Sequence, residues 1–265
     1  AQGMRDIRST YEFRAGCTAV RMLKEAGYEA YFVGGCVRGE MTRRMSRPSA
    51  EDIFGSCRYA RALTDEPQMC GSSTIDIDIT TSATPEEMLH VFHGMKVIET
   101  GIKHGTITLL AAADGGDMQI ESGADRGSGR QDEAEILAAS GEPDENVRLV
   151  PLEITTYRTE SGYSDGRHPD SVGFTRSLEE DLKRRDFTVN ALVMDENGSV
   201  TDILGASEDL RNHVLRAVGD PDERFREDSL RIMRAMRFAS VLGFRIEEKT
   251  EAAMFRNGGL LKKLS

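Results

Sequence analysis

Two carboxylates one residue apart, Asp76 and Asp78, lie in the run Ile75-Asp76-Ile77-Asp78-Ile79-Thr80. On a strand, where side chains alternate, the isoleucines face one way and both aspartates the other. Carboxylates about 7 Å apart along a strand face can share divalent cations and hold them against a nucleoside triphosphate, the arrangement used in nucleotidyl transfer. An edge strand with a solvated polar face carries the same pattern. A third carboxylate is available in the strand expected over Val150 to Tyr157, where Glu153, Thr155 and Tyr157 share the face opposite Leu152, Ile154 and Thr156. Glu153 could stand beside Asp76 and Asp78 on a neighbouring strand, or be an exposed strand glutamate.

Three further groups could handle the rest of a nucleotide. In Gly34-Gly35-Cys36-Val37-Arg38, two glycines after a strand let the backbone turn sharply and bring N–H groups to a phosphate, with Arg38 close by. A lone Gly-Gly pair is often merely a turn. Arg184-Arg185-Asp186-Phe187-Thr188-Val189-Asn190-Ala191 crowds cations, a carboxylate and an amide beside an apolar strand expected to continue to Met194. A triphosphate needs such cations and donors, although a basic surface cluster would read alike. From Glu227 to Leu242 a helix is expected with Asp228, Arg231, Arg234 and Arg237 at steps of three, and Ile232, Met233, Met236 and Ala239 as its core side. Asp228 and Arg231 could both meet a base edge, the carboxylate accepting from an amino group and the guanidinium donating to ring acceptors. They could equally be an i, i+3 pair supporting the helix.

These residues need a scaffold, and its elements are readable. Phe13, Cys17, Val20, Leu23 and Ala26 mark a helix from Thr10 to Ala26, ended by Gly27. Tyr28 to Val33 reads as a strand, and residues 40–74 as an insertion before the carboxylate strand. Thr84 and Pro85 begin a helix through Val91, followed by strands at Lys96 to Glu99 and Thr106 to Leu110. Residues 113–146 are an acidic, glycine-rich excursion. Thr159 to Ser177, containing Asp165, Arg167 and His168, reads as a flexible loop, and Leu178 to Arg185 as a helix. Asp195 to Gly198 is a hairpin signal and Ser199 to Ile203 its returning strand. A short helix near Ser207 to Asn212 and a strand from Val214 to Val218 come next. Gly219-Asp220-Pro221 then breaks the chain, and helical periodicity takes over from Phe225.

Composition bounds the function. A chain of 265 residues, 38% hydrophobic and 30% charged, with mean hydropathy −0.43, can bury a core in one large or two modest domains. No run approaches the roughly 18 apolar residues of a membrane span, and no signal peptide pattern opens the chain; the cytoplasm is the expected location. Ala1-Gln2-Gly3, ahead of Met4, are read as an appended remnant. The four cysteines form no C-x-x-C pair, which argues for reduced thiols over a zinc site. The net charge of −11 conceals an uneven distribution. Residues 112–150 hold ten acidic and three basic side chains, whereas 211–265 hold twelve basic and eight acidic, so RNA is not excluded as a partner.

Taken in order, Gly34-Gly35-Cys36-Val37-Arg38, Asp76-Ile77-Asp78, Glu153-Ile154-Thr155-Thr156-Tyr157-Arg158, the Arg184 to Ala191 block and Glu227-Asp228-Ser229-Leu230-Arg231 resemble the class II tRNA nucleotidyltransferases. This family comprises the CCA-adding enzymes and the related bacterial poly(A) polymerases. The resemblance implies an α+β fold: a polymerase-β-type nucleotidyltransferase head, with a mixed sheet flanked by helices, over 1–218, then an all-helical neck beginning at 219–265. It implies two magnesium ions on Asp76 and Asp78, with Glu153 as a third catalytic acid. It also implies phosphate contacts from Gly34, Gly35 and Arg38, and ribose and triphosphate contacts from Arg185, Asp186 and Asn190. Asp228 and Arg231 would form an amino-acid template selecting CTP and ATP, with Arg234 near the phosphates.

The substrates implied are CTP, ATP and the tRNA 3′ end. The loop bearing Asp165-Gly166-Arg167-His168-Pro169 is like the one full CCA-adding enzymes use to switch from C to A. CCA addition is therefore the first expectation, with A addition, poly(A) synthesis and an inert nucleotide- or RNA-binding fragment as alternatives. Three departures stand out. Gly39 replaces the usual aspartate after Arg38, so any role of that aspartate is missing or displaced to Glu40. The gap from Arg38 to Asp76 is long. The chain also stops at Ser265, before the family's C-terminal body and tail, as a truncated chain that should bind nucleotide while extending tRNA poorly.

Overall fold

The computed structural model describes residues 7, 10–45, 76–112, 149–163 and 169–263. The insertion expected over 113–146, most of that over 40–74, and Asp165, Arg167 and His168 lie outside the described residues.

Helix α1, Tyr11–Glu25, starts where the Thr10 side chain accepts from the Phe13 N–H and ends before Gly27, whose φ of 92° suits a residue without Cβ. Strand β1 (Ala30–Val33) runs directly into α2 (Gly35–Arg44). Strand β2 (Ile77–Thr81) precedes α3 (Pro85–Val91), which opens with a full capping box between Thr84 and Glu87. Strands β3 (Lys96–Ile98), β4 (Thr106–Ala112), β5 (Leu149–Thr156), β6 (Arg158–Ser161) and β7 (Ser171–Phe174) follow, then α4 (Leu178–Lys183). A 3-10 turn at Thr188–Asn190 leads to β8 (Val193–Met194), β9 (Val200–Thr201), α5 (Ala206–Arg211) and β10 (Val214–Leu215). The last part holds α6 (Pro221–Glu227), α7 (Leu230–Leu242), β11 (Arg245–Ile246) and α8 (Glu248–Asn257).

Seven strands form one mixed sheet in the order β3-β4-β5-β2-β1-β8-β9. Within it β2 and β5 are parallel and the other neighbours antiparallel. The period-two pattern gives the sheet two unlike faces. Ile77, Ile79, Ile107, Leu109, Leu152 and Ile154 are buried in the core on one face, each worth about 1.5–3 kcal/mol of apolar burial. Helix α1 lies on that face: Phe13 stacks on Phe32 with ring centroids 4.6 Å apart. At Gly16 an added Cβ would come within 2.5 Å of the Phe32 ring, so the close helix–sheet approach requires glycine there. The opposite face carries Asp78, Thr80, Glu153 and Thr155 and remains available for chemistry. The core continues into the C-terminal part, where Ala235 and Phe244 join the same cluster as the sheet residues and β10 pairs parallel with β11. Among the described residues no helix is long and apolar enough to cross a membrane.

Several local expectations are corrected. Thr159 to Ser177 is not wholly loop: β6 and β7 pair antiparallel, and with β6 wholly polar and only Val172 and Phe174 apolar in β7 there was no apolar period to read. No strand runs from the Arg184 block to Met194. Asp186 Oδ1 accepts from the Phe187 N–H at 2.8 Å and Asn190 Nδ2 at 3.0 Å, curling 188–190 into a turn. The helix expected from Glu227 begins only at Leu230, with Asp228 in extended conformation ending α6. Ile232 is buried and Ala239 packs on the core, with Arg234 and Arg237 exposed, as expected; Met233 and Met236 are instead 49% and 42% exposed, and Arg231 is buried.

Candidate active site

The sheet register brings the acidic residues together. Asp78 on β2 lies directly across from Glu153 on β5 and from Val33, the last residue of β1. Asp76 stands exposed immediately before β2. Burial pushes the Asp78 carboxyl up, and the neighbouring charges of Glu153 and Asp76 push the same way, while Arg185 pulls it down. A carboxylate under such pressure gains from a cation, and an all-oxygen donor set suits magnesium or calcium. Among the described residues no three His, Cys, Asp or Glu side chains enclose an ion unaided.

The glycine turn stands against this pair. Gly34 has φ 76° and ψ −135° as N-cap of α2, and a Cβ added there would lie 3.2 Å from Asp78 Oδ2. Glycine is thus required twice, for the backbone conformation and for the proximity of the carboxylate. Gly35 opens α2, so the N-terminus of that helix starts at the strand end where Asp78 closes the β1–β2 register. Arg38, one turn further, donates through Nη1 to Asn190 Oδ1. Asn190 in turn donates to Asp186 Oδ1, and Arg234 grips Asp186 Oδ2 through Nε at 2.8 Å and Nη2 at 2.7 Å. Arg38 and Arg234 both lie over the Phe238 ring, at 5.1 Å and 5.4 Å from its centroid. Four expected phosphate and ribose contacts, Arg38, Asp186, Asn190 and Arg234, therefore form one connected group.

Arg185 is placed separately, with Nη2 at 3.2 Å from Asp181 Oδ2. Asp228 and Arg231 are neighbours at the α6–α7 break. Asp228 Oδ1 accepts from the Leu230 N–H, and Arg231 reaches Glu227 at 2.7 Å, the Arg224 carbonyl at 3.1 Å and the Arg184 carbonyl at 3.3 Å. That last bond ties the pair to the residue preceding Arg185. The buried Glu40 carboxylate is held by Arg43 and Arg44 of its own helix.

Sequence reasoning missed Asp181, Phe238 and Glu160. Asp181 precedes Arg184 and Arg185 by three and four residues, and Phe238 follows Arg234 by four, spacings that place side chains together on a helix. Glu160 pairs with Arg184 at 3.0 Å and accepts from the Tyr163 hydroxyl at 2.6 Å. It carried no local signal, because β6 reads as polar on both faces.

The family model of the Poly A polymerase head domain matches residues 130–216. CCA-adding enzymes from Lactobacillus helveticus and Enterococcus faecalis are 43% and 40% identical, over 93% and 96% of this chain and 45% and 46% of their own lengths. The crystal structure of the Bacillus stearothermophilus CCA-adding enzyme in complex with CTP aligns with a TM-score of 0.63 at 35% identity, covering 96% of this chain and 45% of that one. A tRNA nucleotidyltransferase complexed with a primer tRNA and an incoming ATP analogue aligns with a TM-score of 0.53 at 25% identity, over 91% of this chain and 50% of that one. The chain spans about half the length of the curated relatives it matches. With the sheet, the glycine turn, the facing carboxylates and the arginine block all in place alongside this similarity, the chain belongs to the family of the CCA-adding tRNA nucleotidyltransferases and poly(A) polymerases.

Proposed function

We propose that the chain is the nucleotide-binding and catalytic part of a template-independent tRNA nucleotidyltransferase that adds CCA to tRNA 3′ ends from CTP and ATP, releasing pyrophosphate, in the cytoplasm. The observation that carries this reading is the register placing Asp78 opposite Glu153 and beside Gly34. In the proposed reaction the tRNA 3′-hydroxyl attacks the α-phosphate in line; its oxygen forms the new P–O bond as the bond to pyrophosphate breaks. Asp76 and Asp78 would hold magnesium, with Glu153 as the adjacent acid. Bound magnesium would lower the pKa of the attacking hydroxyl and neutralise charge on the leaving pyrophosphate. Gly34 and Gly35 let the backbone approach the phosphates, and Arg38, Arg185 and Arg234 supply cationic donors. Asp186 and Asn190 orient Arg38 and Arg234 and stand within reach of a ribose.

Base choice is assigned to Asp228 and Arg231. Cytosine N4 and adenine N6 can donate to a carboxylate, whereas uracil and guanine present a carbonyl at the equivalent place. Leaving acceptor against acceptor costs about 1–3 kcal/mol, roughly 5- to 150-fold in selection. Asp228→Ala is expected to lose most of the preference for CTP and ATP while weakening triphosphate binding less. Unchanged discrimination in single-nucleotide incorporation would sink the assignment. Radiolabelled CTP and ATP offered with tRNA lacking the whole CCA end, tRNA lacking the last A, and oligo(A) test the activity itself. Incorporation of both nucleotides into the first substrate supports CCA addition. Incorporation confined to the second points to A addition, incorporation confined to the third to poly(A) synthesis, and incorporation into none to a nucleotide- or RNA-binding role.

A further inference from the structure

Asp181 is fully buried, yet four groups converge on its two carboxylate oxygens. Oδ1 accepts from the Arg158 N–H at 3.2 Å and Arg184 Nε at 2.9 Å; Oδ2 accepts from Thr80 Oγ1 at 3.1 Å and Arg185 Nη2 at 3.2 Å. Burial alone would raise its carboxyl, but the charges of Arg184 and Arg185 and the hydrogen bonds from Arg158 and Arg184 together hold it below the usual range. Thr80 lies two residues beyond Asp78 on the same strand face. One oxygen of Asp181 therefore grips both the strand that carries the active-site carboxylate and a cation whose charge acts on that carboxylate.

Arg185 immediately precedes Asp186, whose carboxylate anchors Arg234, so the tether to Asp181 fixes a guanidinium between the strand of Asp78 and the arginine group. The buried Nε of Arg185 has no hydrogen-bond partner among the described residues. We propose that Asp181 is a positioning residue: it fixes Arg185 against the strand that bears Asp78 and presents its guanidinium to the triphosphate of the incoming nucleotide. The proposal rests on the nucleotidyltransferase reading above.

A double-mutant cycle on magnesium-dependent CTP affinity tests it, with wild type, Asp181→Asn, Arg185→Ala and the double variant. Both single changes are expected to weaken binding about tenfold, and the double variant no more than Arg185→Ala alone, because Asp181 acts through Arg185. Losses that multiply would overturn the proposal. A second readout needs no nucleotide: hydrogen exchange of the Arg185 Nη–H groups, one of which donates to Asp181, followed by NMR at low temperature. Exchange should be slow in the wild type and fast in Asp181→Asn with the backbone amide spectrum retained. Asp181→Glu, which keeps the charge, should recover part of the protection and part of the affinity. Equal impairment by Asn and Glu indicates packing alone and overturns the tether. If Asp181→Asn does not fold, the wild-type exchange decides, since a rate like that of a free guanidinium contradicts the tether. A wild type that binds no CTP overturns the nucleotidyltransferase reading and the phosphate role of Arg185 with it. Binding with multiplicative losses overturns the Asp181 proposal alone.

Discussion

Replacing Gly34 by alanine tests the glycine turn, with Gly39→Ala as its internal control. Gly34 combines φ 76° with ψ −135°, and the new methyl would sit 3.2 Å from Asp78 Oδ2. A non-glycine residue forced into such a backbone region costs about 1–3 kcal/mol, and the carboxylate must also move a few tenths of an ångström. Gly39 lies inside α2, and a methyl added there would meet nothing within 4 Å among the described residues, so alanine there should stabilise by about 0.5–1 kcal/mol. At about 2–4 °C per kcal/mol for a chain of this size, Gly34→Ala should lower the melting temperature by about 2–12 °C and Gly39→Ala raise it by about 1–4 °C. Urea unfolding at constant m-value gives the free energies, and magnesium-dependent CTP affinity reports the displaced Asp78. Gly34→Ala should lose affinity beyond its loss of stability. If the two variants behave alike, or Gly34→Ala binds CTP as the wild type does, the argument that glycine is required beside Asp78 is refuted.

Two further outcomes concern the frame. Thr84→Ala removes the side chain that caps α3 and should cost about 0.5–2 kcal/mol by urea unfolding, with nucleotide binding retained. The hydrogen-bonded Arg176 guanidinium holds the Glu87 carboxyl at about 2, below its ordinary 4.5. A depressed folded-state value means stability that is present above about pH 4.5 and lost as pH falls toward 2. Because the Glu87 and Arg176 side chains are 30% and 57% exposed, the contribution is discounted to about 0.2–1 kcal/mol. The difference in unfolding free energy between wild type and Glu87→Gln should be constant above about pH 5 and vanish near about pH 2; a difference that grows on acidification contradicts the pairing.

Features governed by local rules were legible in the sequence. The Thr84 cap, the Gly27 stop, the Asp195–Gly198 hairpin and the Ile77-Asp78-Ile79 alternation each depend on residues within a few positions of one another, although β2 begins only after Asp76. The pairing of Glu153 with Asp78 needed only the further assumption that β5 and β2 are neighbours. Other features depended on contacts the local pattern does not contain. Phe187-Thr188-Val189 has strand-like composition, but Asp186 captures the Phe187 and Asn190 donors and bends the chain. Arg231 read as a base-edge donor or as the helix partner of Asp228, whereas its donors reach Glu227 and two main-chain carbonyls, one of them 47 residues away. The place of β8 beside β1 likewise joins segments far apart in the chain, in a sheet whose order no single stretch encodes.

The most direct test of the central claim is a crystal of this chain with Mn2+ and a non-hydrolysable CTP analogue, read by anomalous scattering. A manganese peak is expected within direct coordination distance of an Asp78 carboxylate oxygen. The triphosphate should lie between the Gly34 turn and Arg185, and both peak and nucleotide should be lost in Asp78→Asn. A nucleotide ordered elsewhere on the chain, or metal and nucleotide that persist unchanged in Asp78→Asn, would contradict it.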